Sequence, residues 1–191
     1  MVIVVKVKKG EFGYIHARKT RALLGVLCMA AVGVVIFLLG LFLNKMSNRN
    51  VFTVIAMLFA LPGAKFLVAF IVLAPFQSVT RQQYDLVREK LASGAVLYTD
   101  MVITSPEKVI HLDFAVVGNG QILALLGKGK QELSYVRKYL TEGVRNWGSG
   151  YTVKIVDSEK AFLADMAAMK EKEVDGEEEA KVRSYLLSLI V

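Results

Sequence analysis

One aspartate stands where a strand would ordinarily exclude it. The run Val109–Gly118 (VIHLDFAVVG) alternates as a strand does, with Asp113 at its centre. Aspartate is disfavoured there because its carboxylate must be solvated or bonded. A period of two puts Ile110, Leu112, Phe114 and Val116 on one face, and His111, Asp113, Ala115 and Val117 on the other. An imidazole beside a carboxylate could ligate a metal ion or move a proton. Equally, His111 could be a partly buried, hydrogen-bonded side chain.

A second charge out of place is Lys65, deep in an apolar run and three residues after Pro62. A charge at such depth costs roughly 2.5–3.5 kcal/mol on insertion scales and by default suggests function. Pro62 removes a backbone donor and leaves the Leu58 carbonyl without its helical partner, so a kink is expected there. Positions 58, 62 and 65 share a helix face. Lys65 is therefore expected either to bind the carbonyls that the proline frees or to meet a ligand, a lipid headgroup or a partner subunit.

Other candidates are weaker in kind. The loop Asn146-Trp147-Gly148-Ser149-Gly150 is not a phosphate loop, because no strand precedes it and no Gly-Lys-Ser/Thr follows. Trp147 could pack over a sheet or anchor at a membrane surface or partner, with Arg145 beside it. Residues 128–154 hold six cations against Glu132 and Glu142. That stretch could face acidic headgroups, nucleic-acid phosphates or simply water. Only two histidines and one cysteine, Cys28, are present. No Ser-His-Asp set, disulfide or multi-cysteine metal site follows from them.

The elements that must position these residues begin with a hairpin. Ala22–Leu43 is 22 residues without a charge, about 33 Å as a helix and enough to cross a hydrocarbon core of roughly 30 Å. Val51–Ala74 is a second such run, and the polar Asn44–Asn50 between them can only turn the chain back. A cleaved signal peptide would have an apolar core of about 7–15 residues, so the first run is expected to stay as an anchor. Gly25, Gly33 and Gly40 on the first helix, and Ala56, Ala60 and Ala64 on the second, would let the two approach closely. Net charge is +7, but residues 1–65 hold nine Lys/Arg against one acid, while residues 66–191 hold fifteen against sixteen. The basic character is topogenic. Residues 1–21 form a basic segment, and both termini are expected in the cytoplasm.

After Pro75 the pattern becomes that of a small α+β domain, residues 78–191. Ser78–Ser93 reads as a helix with a Thr80/Gln83 capping box and Gly94 closing it. Three strands follow, Ala95–Thr104, Val109–Gly118 and Gln121–Gly127. Ser105–Lys108 joins the first two, and Asn119-Gly120, a strong hairpin signal, joins the second pair. Gln131–Arg145 is a helix with Leu133, Val136, Tyr139 or Leu140, and Val144 inward. A strand over Tyr151–Val156 and helices over 159–173 and 177–191 complete the order α-β-β-β-α-β-α-α, with a mostly antiparallel sheet. A short strand is also expected over Val2–Lys8.

This order, with the wording IHLDFAVVGNGQILALLGK, resembles the nuclease-related domain of the PD-(D/E)XK nuclease-like superfamily. The resemblance implies that Asp113 takes the place of the metal-binding aspartate and Lys128 that of the terminal lysine. The family's glutamate would fall at position 126, where this chain has Leu126. One aspartate alone would hold Mg²⁺ or Mn²⁺ poorly, so the resemblance implies a degenerate site unless Glu132 or Glu89 substitutes. The whole layout is also similar to bacterial two-span membrane proteins, some labelled O-linked GlcNAc transferase-like. That chemistry finds no roughly 34-residue helical repeat and no Asp-x-Asp motif here.

The expected protein is therefore a two-span protein of the cell membrane presenting a non-catalytic binding or scaffold domain, without a cofactor. A protein partner or self-association through the hairpin is expected, and nucleic acid is not. The alternatives are a membrane-anchored, metal-dependent nuclease or a small subunit of a membrane complex.

Overall fold

The computed structural model describes residues 7–45, 47, 50–129, 131–169 and 175–191. The expected strand over Val2–Lys8 lies mostly outside them, as do Lys6, Arg49, Lys130 and the end of the helix expected over 159–173. The chain divides into two compact units. One is His16–Pro75; the other joins Phe76–Val191 with the short segment that ends at Ile15.

In the first unit, helix α1 (Tyr14–Leu43) is 30 residues long and begins a full two turns before the apolar run. Arg18, Lys19 and Arg21 are thus helical. The second run is two helices, α2 (Val51–Leu58) and α3 (Ala60–Leu73), broken at Phe59. Pro62 cannot donate to the Leu58 carbonyl. The chain tightens ahead of it, with Phe59 N–H on Ala56 O (3.2 Å), and the α-helical pattern resumes with Gly63 N–H on Phe59 O (3.2 Å). Tyr14–Leu43 and Val51–Leu73 are each long and apolar enough to cross a membrane. Neither is a core helix, for Leu27, Leu38, Phe42, Met57 and Leu61 are all exposed.

Small residues set how closely the hairpin packs. A Cβ on Gly25 would lie 2.6 Å from Phe66, and one on Gly33 would lie 3.5 Å from the Ala56 carbonyl. At the turn, Asn50 caps α2 by accepting from Thr53 N–H (3.0 Å) and donates to the carbonyls of Gly40 and Ser47. A Cβ on Gly40 would meet Phe52 Cβ at 2.4 Å, a clash that no rotamer relieves. Gly40→Leu is therefore expected to part the helices at about 1–3 kcal/mol. Spin labels at positions 38 and 54 would report it as a longer or broader distance. An unchanged distance would show that the hairpin does not depend on this approach.

The second unit is a mixed four-stranded sheet, order β1-β2-β3-β4, of β1 (Val96–Thr104), β2 (Val109–Gly118), β3 (Gln121–Leu126) and β4 (Thr152–Val156). β1, β2 and β3 form the expected antiparallel meander. Asn119 and Gly120 both have positive φ (54° and 68°), as the two-residue turn requires. β4 pairs parallel to β3, reached through α5 (Leu133–Arg145). Helices α4 (Arg81–Glu89), α6 (Glu159–Ala167) and α7 (Gly176–Leu189) complete the unit. α4 is shorter than expected, though its capping box is present.

Both faces of the sheet are covered. One core joins Ile103, Ile110, Leu112, Ala115, Val117, Ile122 and Ala124 to Val136, Leu140 and Val144 of α5 and to Val182 and Leu186 of α7. Leu140, rather than Tyr139, is the buried residue of its pair. The other core joins Phe114, Val116, Leu123 and Leu125 to Val87 of α4 and to Phe162 and Met166 of α6. α7 ends at Leu189, and Ile190 bridges to Ile103 instead of continuing the helix.

The free edge of β1 is closed by both ends of the chain. Thr99 N–H donates to Gly10 O (2.9 Å) and Val191 N–H to Val102 O (3.0 Å). The Tyr14 hydroxyl donates to Val191 O at 2.7 Å, and Lys9 Nζ donates to Ile190 O. An edge that would otherwise invite pairing is thereby occupied.

Candidate functional site

Alternation fails midway along β2, at Asp113. Ile110 and Leu112 share a core with Ala115 and Val117, whereas Phe114 and Val116 lie in the opposite one. The single face expected for Ile110, Leu112, Phe114 and Val116 is therefore corrected. The cause is a bulge. Leu112 pairs with Leu126 but Phe114 pairs with Leu125, so Asp113 is an extra residue and everything after it changes face.

Strand β1 breaks step at the same level. Tyr98, Met101 and Ile103 all enter the first core, a spacing of three and then two. Asp100 between them has φ +55°, a left-handed conformation that aspartate tolerates better than most residues. Thr99 lies opposite Phe114 and Met101 opposite Leu112, which puts Asp100 across from Asp113. Two acidic residues thus mark twin irregularities in neighbouring strands.

Asp100 is fully buried. Its Oδ1 accepts from Val79 N–H at 3.0 Å, and Oδ2 is buried with no hydrogen-bond partner among the described residues. Burial pushes its pKa up, and the donors nearby, Ser78 and Val79 foremost, oppose the rise. This residue ties the segment before α4 to the sheet. Sequence reasoning missed it, although the signal was the one that singled out Asp113: an aspartate inside an apolar strand.

Asp113 is mostly buried, its side chain 19% exposed, with Oδ1 3.7 Å from His111 Nε2. Burial raises its pKa to about 6; Asp100 and Glu159 push the same way and Lys128 opposes them. Lys128, exposed just beyond β3, is thus near enough to act on Asp113 electrostatically. The two sequence-predicted residues are within electrostatic reach of one another, without an ion pair between them among the described residues. His111 lies against Phe76, ring centroids 4.9 Å apart. A Cβ on Gly127 would sit 2.0 Å from His111 Nδ1, so glycine there makes room for the imidazole. Gln131 clamps the same turn, accepting from His111 N–H (2.8 Å) and donating to the carbonyls of His111 (2.9 Å) and Gly127 (3.0 Å).

The donor set does not fit a divalent metal. Leu126 is buried in the first core. Glu132 pairs with Lys108 at 3.2 Å, away from any role beside Asp113. Asp100 is engaged by Val79 N–H, and Glu159 accepts from Gln83 Nε2 at 3.3 Å. Among the described residues, no three His, Cys, Asp or Glu side chains gather closely enough to hold an ion. A cation wanting about six oxygens would find Asp113 and little else.

The remaining candidates lie apart from this pair. Trp147 is 49% exposed and stacks on Tyr185 of α7, centroids 5.8 Å apart. It forms a surface stack and not a core plug. Arg145 is exposed on the last turn of α5. Pro62 and Lys65 line one cavity of the hairpin with Arg18 and Arg21. Among the described residues the Lys65 ammonium makes no hydrogen bond to a carbonyl freed by Pro62.

No protein-family model matches the chain, and no curated protein or solved structure matches it either.

Proposed function

We propose that this is a membrane protein whose hairpin anchors a non-catalytic binding module on the cytoplasmic side. Two apolar, outward-facing helices support the membrane reading, and the cations ahead of the first span support the orientation. The observation that carries the non-catalytic reading is Asp100. The carboxylate nearest in register to Asp113 is fully buried and holds Val79 N–H, so it serves the fold. The exposed Trp147–Tyr185 stack, with Arg145 close by in sequence, supplies a rigid aromatic surface of the kind that protein partners use.

The approach of Lys128 to Asp113 favours one second reading, a membrane-anchored nuclease, and a single assay separates the two. Full-length protein in detergent is incubated with single- and double-stranded DNA and RNA in Mg²⁺ or Mn²⁺, beside Asp113→Asn. The expected result is no cleavage above background in either. Cleavage that disappears with Asp113→Asn would overturn the binding-module reading.

A further inference from the structure

Every fourth residue along α5 and just past its end is a ring or a glycine: Tyr135, Tyr139, Gly143 and Trp147. Residues four apart stand one above the other on a helix face, so these four make a row with a gap at Gly143. The gap is filled from α7. A Cβ on Gly143 would lie 1.9 Å from the Tyr185 hydroxyl oxygen, so glycine is what admits that ring. Tyr135 and Tyr139 stack with centroids 6.3 Å apart, and Tyr185 and Trp147 with centroids 5.8 Å apart. Tyr185, over Gly143, joins the two pairs. Burial raises its pKa and Tyr139 adds to the rise. The result is one ridge of four rings. The tyrosines are half-buried against the first core and Trp147 is half exposed.

The charges beside the ridge are matched. Lys108 Nζ stands over the Tyr135 ring at 5.5 Å and pairs with Glu132 at 3.2 Å. Lys138 faces Glu142 at 4.0 Å, and Lys181, one turn before Tyr185, pairs with Glu177 at 3.5 Å. Arg145, two positions on from Gly143, falls on the opposite side of the helix. No local excess of charge is left to draw a phosphate or a carboxylate. The polar ends of all four rings can donate. Among the described residues only the Tyr135 hydroxyl is engaged, with Ser105 Oγ at 2.8 Å.

A neutral row of rings with spare donors suits a ligand of apolar rings and open carbonyls. Polyproline II has no internal hydrogen bonds, so its carbonyls are free, and proline brings no N–H that needs an acceptor. Three four-residue steps of α5 span about 18 Å, the length of about six residues in that conformation. We propose that this ridge binds a proline-rich segment in the polyproline II conformation, its pyrrolidine rings packed on Tyr139, Tyr185 and Trp147 and its carbonyls accepting from their donors. The inference deepens the binding-module reading and rests on it. It also gives Gly143 a purpose in a helix interior, where glycine is otherwise unfavourable.

Trp147 is the chain's one tryptophan, so its emission reads the ridge directly. Full-length protein in detergent is titrated with decaproline and, in parallel, with a Gly-Ser peptide of equal length. Decaproline is expected to shift the emission to the blue and to saturate, with a Kd on the order of 100 μM. The flexible peptide should do neither. Tyr139→Ala and Tyr185→Ala should each weaken binding about tenfold. Gly143→Ala should weaken it as much, because the new methyl displaces the Tyr185 ring, while the thermal midpoint stays level or rises. That variant separates the ridge from the fold. Lys160→Gln, exposed on α6, should change nothing.

An equal response to both peptides would overturn the proposal, as would wild-type affinity in Gly143→Ala and Tyr139→Ala. No response to decaproline, with the emission moving instead on phosphatidylglycerol bicelles or oligo-dT, would give the ridge to a membrane surface or to nucleic acid and overturn it too. Failure of the wider reading shows separately, as cleavage that needs Asp113 in the nuclease assay. Silence toward decaproline without cleavage sinks only the proline ligand.

Discussion

Asp100→Ala is expected to destabilise the α+β unit by about 3–5 kcal/mol, a large share of a small domain's stability. Two costs add. The first is that Val79 N–H loses a buried acceptor. The second is conformational, since alanine at φ +55° carries a penalty of about 1–2 kcal/mol. Asp100→Asn tolerates the same φ and keeps one oxygen, so its loss should be less than half as large. Denaturant titration followed at Trp147, the chain's one tryptophan, measures both. If Ala and Asn were equally mild, the hydrogen bond to this carboxylate would not be holding the segment before α4 on the sheet.

Asp113→Asn is expected to act in the opposite direction at neutral and alkaline pH. The Asp113 pKa rises from 3.8 to about 6 on folding, chiefly through burial. The native state therefore holds this proton more tightly than the unfolded chain does. Stability from this group is fully present below pH 4 and is lost as pH rises through about 6. Above that, the folded protein carries a buried charge at a cost of at most about 3 kcal/mol. Asparagine has no proton to lose. The variant should be the more stable protein at pH 8 and should show a flatter profile between pH 4 and 7. Asp100, also shifted upward, leaves a residual slope of the same sign. A wild-type profile that rises with pH across this window would show that Asp113 is ionised and well paired in the native state.

These two residues also show where sequence reasoning stopped. The hairpin was legible because a run of 22 uncharged residues admits few folded forms, and the Pro62 break followed from a missing N–H. Most of the second unit was legible in the same local way. The Thr80/Gln83 box, the Asn119-Gly120 turn and the stripe through Val136 and Val144 each state their geometry within a few residues. Asp113 was singled out because a strand disfavours it, and Lys128 came with it through a resemblance to nucleases.

What lay beyond the sequence was non-local. Strand period alone put Ile110, Leu112, Phe114 and Val116 on one face, and the bulge at Asp113 divided them between two cores. A bulge depends on how two strands register against a third, which no single strand records. The Asp100–Val79 bond joins residues 21 positions apart, and the closing of β1 by Gly10 and Val191 joins residues more than eighty apart. Likewise, Arg18, Arg21 and Lys65 are separate entries in a charge count until the hairpin folds back and places them around one cavity. Local sterics and hydrophobicity write most of the elements and the two long apolar runs into the sequence. Only the tertiary structure decided which charges meet, because that depends on register between strands and between helices.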